Sequence, residues 1–339
     1  MTWDRIAVLA SMRPQPFEEN KMRYFVTGCA GFIGSSLTDR LLADGHSVVG
    51  YDNLSTGRGS FLARACEHAA FRLVRGDILD GAALGTAMRD SDAVFHLAAN
   101  ADVRFGAERP GIDLEQNTVG THRVLEAMRT NGVRRIAFAS SGSVYGEAAL
   151  IPTPEDAPFP IQTSLYGASK CAAEGLLAAY SAAYGLQAHI FRFVSILGER
   201  YTHGHVFDFM KQLRADPRSL RVLGDGRQRK SYLHVGDCVD AMLLAVAHAR
   251  EPVSILNLGT DEYCELSASI AWICTALGAA PAVEYAGGER GWIGDNPFLY
   301  LDTRKIRALG WQPRLSIREA VERTVRYLSA HPELLDSRP

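Results

Sequence analysis

Residues 24–52 read YFVTGCAGFIGSSLTDRLLADGHSVVGYD. A short β-rich run, 24–27, passes directly into Gly28, Gly31 and Gly34. Residues 32–43 carry a helical period that Asp44-Gly45 ends, and a second apolar run, 47–51, stops at Asp52. Glycines between a strand and a helix allow a tight turn and let the backbone approach a pyrophosphate lying on the positive end of the helix. An acid ~20 residues further on accepts hydrogen bonds from a ribose 2′-hydroxyl and repels a 2′-phosphate. The order strand, glycine turn, helix, strand, acid therefore predicts an NAD site rather than an NADP site. Its candidate contacts are Gly28, Gly31, Phe32, Ile33, Gly34 and Asp52. Asn53, Ser55, Thr56 and Gly57 offer short polar groups around the same ribose, although turn chemistry explains them equally well. Arg58 reads as a solvated loop residue.

The rhythm continues outward from this stretch. Residues 71–74, 93–97, 135–140 and 187–193 read as further strands, separated by helical segments around 82–88, 118–129 and 165–184. Strands alternating with helices predict an α/β fold with a doubly wound parallel sheet, the Rossmann arrangement. After Gly198 the pattern shifts to a loop rich in His, Gly, Asp and Arg, a helix over 237–248, and short elements ending with a helix over 317–330. The expected organisation is an N-terminal extension (1–21), an NAD-binding domain (22–194), a smaller C-terminal α/β lobe (195–330, interleaved with the first domain) and a tail (331–339). Ligands of such folds sit in the cleft between the parts.

Composition narrows the function classes. The 339 residues carry 36 Lys+Arg against 38 Asp+Glu, a net charge of -2. No global field draws the chain to nucleic acid or to an anionic membrane. Apolar residues make up 47%, but their runs are too short to span a bilayer. The six cysteines are scattered without a CxxC pair, which suits a reducing compartment. Residues 1–21 lack the apolar core of a secretory signal, so a cytoplasmic location is expected. His203 and His205 have no carboxylate cluster nearby and make a poor metal site, so no metal is expected.

Tyr166 and Lys170 stand four apart on a helical segment, and their side chains share one face. A phenol titrates near ~10, and an ammonium beside it together with a cationic nicotinamide favours the phenolate, a general base. The hydroxyl-rich run 140–146 at the end of the fifth strand supplies a third member.

The wider GxxGxxG spacing, with Asp77-Ile78, His96-Leu97-Ala98-Ala99, Tyr166 and Lys170, and the late Leu309-Gly310-Trp311, resembles the extended short-chain dehydrogenase/reductases of the NAD-dependent epimerase/dehydratase family, from Arg23 to roughly Ala330. The resemblance implies that Asp77 and Ile78 flank the adenine and that Leu97, Ala98 and Ala99 lie under the cofactor. It also implies that Ser141 hydrogen-bonds the reacting oxygen beside Tyr166 and Lys170. Dehydratases and the UDP-xylose-forming decarboxylase that this chain resembles carry Glu immediately before Val-Tyr-Gly. Here that position is Ser143, preceded by Gly142, which argues for epimerisation.

Residues 101–105 are similar to a stretch of the UDP-glucuronate 4-epimerases, which implies that Arg104 lies near the sugar or its phosphates. Ser195 stands where those enzymes carry a hydroxyl. Ser141, Ser143 and Ser195 could then hold a C5 carboxylate. Arg192 is a possible charge partner for it, and a structural strand-end arginine is an equal reading. Residues 224–232 resemble the family's diphosphate loop, with Gln228 retained, Lys230 in place of its Arg and Ser231 in place of its Asp. Arg290 is displaced by two positions from the family's Arg-Pro-Gly-Asp, which here reads Trp292-Ile293-Gly294-Asp295.

The resemblance thus implies an NAD-dependent UDP-sugar 4-epimerase, with UDP-glucuronate and UDP-galacturonate as the leading pair. UDP-glucose or UDP-N-acetylglucosamine epimerisation, and UDP-glucuronate decarboxylation, are the alternatives. It further implies a homodimer through the helices at 118–129 and 165–184. The chain also resembles epimerases of antibiotic gene clusters, that of moenomycin among them. A non-enzymatic NAD-sensing scaffold is the remaining reading, and intact Ser141, Tyr166 and Lys170 count against it.

Overall fold

Strand β1 (Arg23–Thr27) is buried from its second residue onward, as a central parallel strand covered on both faces must be. In this computed structural model residues 21–158, 161–291 and 295–336 are described, apart from the side chains of Arg104 and Phe105. From β1 the chain continues through α1 (Phe32–Ala43), β2 (Ser47–Asp52), α2 (Ala63–Cys66), β3 (Phe71–Arg75), α3 (Gly81–Ala87) and β4 (Ala93–His96). Next come α4 (Val103–Glu108), α5 (Gly111–Asp113), a π-helical turn (Leu114–Val119), α6 (Gly120–Asn131), β5 (Arg135–Ser141), α7 (Leu165–Tyr184) and β6 (Gln187–Phe193).

The later elements are β7 (Ser195–Leu197), α8 (His205–Ala215), β8 (Ser219–Val222), β9 (Arg229–Lys230), β10 (Tyr232–His234), α9 (Val235–His248) and β11 (Val253–Leu258). They end with β12 (Cys264–Glu265), α10 (Leu266–Leu277), β13 (Ala282–Tyr285), β14 (Phe298–Leu299), α11 (Arg304–Arg307) and α12 (Ile317–Ala330).

Seven strands form one parallel sheet in the order β11-β6-β5-β4-β1-β2-β3. The doubly wound fold predicted from the alternating pattern is the fold observed. Successive β1 residues serve opposite layers: Phe25 packs with Tyr51, Phe138 and the α6 residues Leu125 and Met128, whereas Val26 packs with Leu37 of α1 and Met242 of α9. The order of the strands reverses between β1 and β4, and the crevice at their carboxyl ends is where such sheets bind ligands.

Two features depart from the pattern read along the chain. Val253–Leu258 returns from the second half to become the sheet's edge beside β6. Residues 103–108 and 111–119, in a stretch without marked period, are helical and meet α7, most extensively through the π-helical turn. The remaining strands form small sheets, β10-β7, β12-β9-β14 and β13-β8. Helix α12 begins with a capping box between Ser316 and Glu319 and packs on α10 and α8. Among the described residues no helix is long and apolar enough to cross a membrane.

Candidate active site at the switch point of the sheet

The glycine loop is built by close approach. Gly28 has φ +70°, and a Cβ there would lie 2.6 Å from the Ala98 nitrogen. A Cβ on Gly34 would lie 2.0 Å from the Gly28 carbonyl oxygen, so this glycine lets α1 pack against the end of β1. Gly31 is the N-cap of α1 and provides no side-chain cap, so first-turn N–H groups remain available for an anion. At the end of β2, the buried Asp52 accepts hydrogen bonds from the Ala30 nitrogen (2.9 Å) and the Leu54 nitrogen (2.8 Å). Burial raises its pKa, opposed by those two bonds. Each carboxylate oxygen keeps a second lone pair for a ribose hydroxyl.

Around that acid, Asn53 donates to Asp77 (3.0 Å), and Ile78 is buried with its tip in the space a Gly120 Cβ would need. Gly57 comes so near that a Cβ would lie 2.9 Å from Asp52. Ser55 and Thr56 are exposed, and Ser55 closes a turn on Asn53. Phe32 is buried while Ile33 is only partly so. Leu97 and Ala98 donate their backbone nitrogens to the Thr27 hydroxyl, which fixes the chain through Ala99 beside the glycine loop. An uncapped helix end, a side-chain-free turn and an acid at the ribose position fit a dinucleotide. Arg58 is not a solvated residue: it donates to the Leu334 carbonyl at 3.1 Å and ties the loop to the C-terminal segment.

Tyr166 and Lys170 lie together in the first turns of α7, whose N-cap Ser164 accepts from Gly167. Lys170 is buried and donates to the Ala139 carbonyl of β5 (2.8 Å), with its ammonium 5.9 Å from the Tyr166 ring centroid. Burial brings its pKa down to about 8, against the carboxylates of Glu174 and Asp113, which hold its proton on. Burial pushes the Tyr166 phenol up to about 12, opposed by a hydrogen bond with Ser141 and reinforced by Asp113. Ser141, the last residue of β5, also accepts from the Ser143 nitrogen (3.1 Å) and donates to the Ser143 hydroxyl (3.2 Å). A serine, a tyrosine and a lysine thus converge from β5 and α7. Such a group can exchange a proton with a hydroxyl while a neighbouring group takes its hydride.

The family model for the NAD dependent epimerase/dehydratase family matches residues 24–259. The chain belongs to this family. It is an enzyme, and NAD is its cofactor. It is 38% identical to the UDP-glucose 4-epimerase of Mycolicibacterium smegmatis over 90% of this chain and 98% of that protein. It is 29% identical to the UDP-glucuronate 4-epimerase of Thermodesulfobacterium geofontis over 93% and 98%. Its fold matches the structure of MoeE5 in complex with UDP-glucuronic acid and NAD with a TM-score of 0.80 at 29% identity, over 91% of this chain and 99% of that one.

The residues expected around the sugar and nucleotide are less gathered. Arg192 is not free to meet a carboxylate, because it makes a buried pair with Glu174 (2.7 Å), donates to the Glu155 carbonyl and covers the Tyr145 ring at 4.6 Å. Gly142 is buried and leaves room for Leu299, whose tip would be 2.9 Å from a Cβ. Ser195 is exposed at the start of β7. Lys230 is directed onto Asp295 (2.7 Å) and the Asn296 carbonyl. Gln228 braces the loop by donating to the Leu223 carbonyl, and Arg290 pairs with Glu147. His205 opens α8 instead of lying in a loop and bonds Ser269 at 2.8 Å. The side chain of Arg104, on α4, lies outside the described residues, as do Trp292, Ile293 and Gly294. No group of three or more His, Cys, Asp or Glu residues among the described residues could hold a metal.

Sequence reading passed over Asn100, Asp113 and Asn117, which meet beneath Tyr166 and Lys170. No spacing announces them, since the π-helical turn that brings them together is not periodic in the sequence.

Proposed function

We propose that the protein interconverts UDP-glucuronate and UDP-galacturonate by 4-epimerisation through a 4-ketone. The observation that carries epimerisation is the Ser141–Ser143 turn: hydroxyls stand beside Tyr166 where eliminating relatives place an acid. The uronate is supported by those hydroxyls and by the likeness to the T. geofontis epimerase and to MoeE5 bound to UDP-glucuronic acid. A second reading, UDP-glucose, is favoured by the 38% identity to the M. smegmatis enzyme and by the loss of Arg192 as a charge partner.

Held by the glycine loop of Gly28, Gly31 and Gly34 and by Asp52, NAD would supply the acceptor for the C4 hydride and the donor that restores it on the opposite face of the ring. Tyr166, as a phenolate, takes the proton of the 4-hydroxyl while the hydride leaves C4, and returns it to the C4 oxygen of the ketone as the hydride comes back, making the new alcohol. Ser141 holds the C4 oxygen in both states. Lys170, pinned by the Ala139 carbonyl, keeps a positive charge behind the phenolate. Between the two transfers the sugar swings about its diphosphate linkage. A 4-keto uronate is a β-keto acid and loses CO2 when its carboxylate turns perpendicular to the ketone plane, so the hydroxyls of Ser143 and Ser195 restrain that carboxylate. The cytoplasmic homodimer belongs to the same reading; exposed Leu114, Val119, Leu165 and Tyr184 on and beside α6 and α7 supply its apolar contact.

The test is incubation with UDP-glucuronate and, separately, UDP-glucose, followed by NMR of the products. UDP-galacturonate formation is expected. UDP-xylose with CO2, or turnover of UDP-glucose alone, contradicts the proposal.

A further inference from the structure

Asp113 ends α5 with 1% of its surface exposed. Its Oδ1 accepts from the side-chain amides of Asn100 (2.7 Å) and Asn117 (3.3 Å). The Asn117 amide also donates to the Ser169 hydroxyl (2.9 Å), and its oxygen accepts from the Asn100 nitrogen (2.8 Å). Ser169 in turn donates to the Tyr166 carbonyl (2.8 Å), while Thr118 donates to the Ser169 carbonyl (3.1 Å). One carboxylate is therefore linked to the turn of α7 between Tyr166 and Lys170.

The other oxygen, Oδ2, makes no hydrogen bond with the described residues. It occupies the space of a side chain at Gly106, where a Cβ would lie 1.8 Å away. A buried carboxylate with one oxygen unpaired among the described residues is destabilising, and a residue serving only to fill this space would be apolar.

The charges around the pair identify what the carboxylate does. Glu174 faces Lys170 from α7, but Arg192 of β6 neutralises it with a two-pronged pair. His96 of β4 is buried between Thr27 and Thr121, and burial brings its pKa down to about 3, so it is neutral. Asp113 of α5 is the negative charge facing Tyr166 and Lys170 that no described cation compensates, apart from Lys170 itself.

We infer that Asp113 is a positioning residue of the redox centre, whose buried charge keeps Lys170 an ammonium while Asn100 and Asn117 transmit its position to the Tyr166 turn. This rests on the reading of Tyr166 as base and Lys170 as its partner. The sign follows from the charges. Removing a negative charge makes the phenolate easier to form and the ammonium harder to keep. Turnover needs the phenolate and the ammonium, so both limbs of its pH profile move to lower pH when Asp113 is neutralised.

The experiment measures kcat and KM across pH for the holoenzyme carrying Asp113→Asn, Asp113→Glu, Asn100→Ala or Tyr166→Phe, with tyrosinate absorbance titrated in each. In Asp113→Asn, kcat is expected to fall about tenfold or more while KM changes less than about twofold, and both limbs are expected to descend by about half a pH unit or more. The titration component missing from Tyr166→Phe should descend with them. Asn100→Ala, which weakens the charged form of Asp113, should move the limbs the same way by less, and Asp113→Glu should restore them toward wild type. Limbs that stay in place in Asp113→Asn, or that move apart, overturn the inference. If Asp113→Asn does not fold, unmoved limbs in Asn100→Ala overturn it instead. Wild-type turnover by Tyr166→Phe would overturn the parent reading and this inference together, and is distinguishable from failure of the inference alone.

Discussion

Desolvation of the partly buried Tyr166 pushes its phenol up to about 12, and Ser141 is the partner that eases the proton's departure. The cationic ring of the oxidised cofactor, bound in this crevice, would supply the rest of the lowering a base needs. Tyr166→Phe removes the proposed acid–base group without changing the packing of α7. Turnover should fall about 10²–10⁴-fold while the purified protein still carries NAD, measured by releasing and quantifying the cofactor. The i, i+4 spacing made Tyr166 and Lys170 visible in the sequence because it is a local property of a helix. The Ala139 carbonyl that orients Lys170, and the carboxylate of Asp113, come from distant parts of the chain. Nothing local marks them.

At the scale of elements, β6 and α7 are joined by Arg192 and Glu174, whose side chains are 13% and 9% exposed. Ser140 of β5 adds a hydrogen bond to the same carboxylate. Replacing the arginine leaves Glu174 buried without its cation. Arg192→Met should therefore destabilise the fold by about 3–5 kcal/mol, read from the denaturation midpoint, with little change in KM for UDP-glucuronate. Unchanged stability with a raised KM would return Arg192 to the sugar site. From the sequence the two roles were equal, because a strand residue at the mouth of a sheet can face either a ligand or a neighbouring helix. The choice is made by Glu174, which lies four residues beyond Lys170 on the same helix. The same limit applies to Lys230, whose partner Asp295 is 65 residues away.

For the molecule as a whole, the parallel sheet could be read from its repeating strand and helix periods, and the glycine turn located its ligand-binding edge. Less could be read after Gly198, where the strands other than β11 are two to four residues long and β11 returns to the main sheet across a large sequence gap. The fold also sets an acid limit. His96 and His189 are fully buried, and burial holds their pKa values at about 3 and about 4. Unfolded, both bind protons below their ordinary value of 6.5, whereas the native state does not. Their contribution is therefore complete above pH 6.5 and is lost as pH falls toward those native values, at about 1.4 kcal/mol per pH unit each. Melting temperature should drop between pH 6.5 and 5, and His189→Leu should lessen the drop; a flat profile would contradict this.

The chemistry proposed for the site requires the hydrogen taken from C4 to return to C4 of the same sugar. UDP-glucuronate carrying deuterium at C4, incubated in ordinary water, tests this directly. UDP-galacturonate that retains the deuterium at C4 is the expected product. Deuterium lost to solvent, or a product that has lost its carboxyl group, would contradict it.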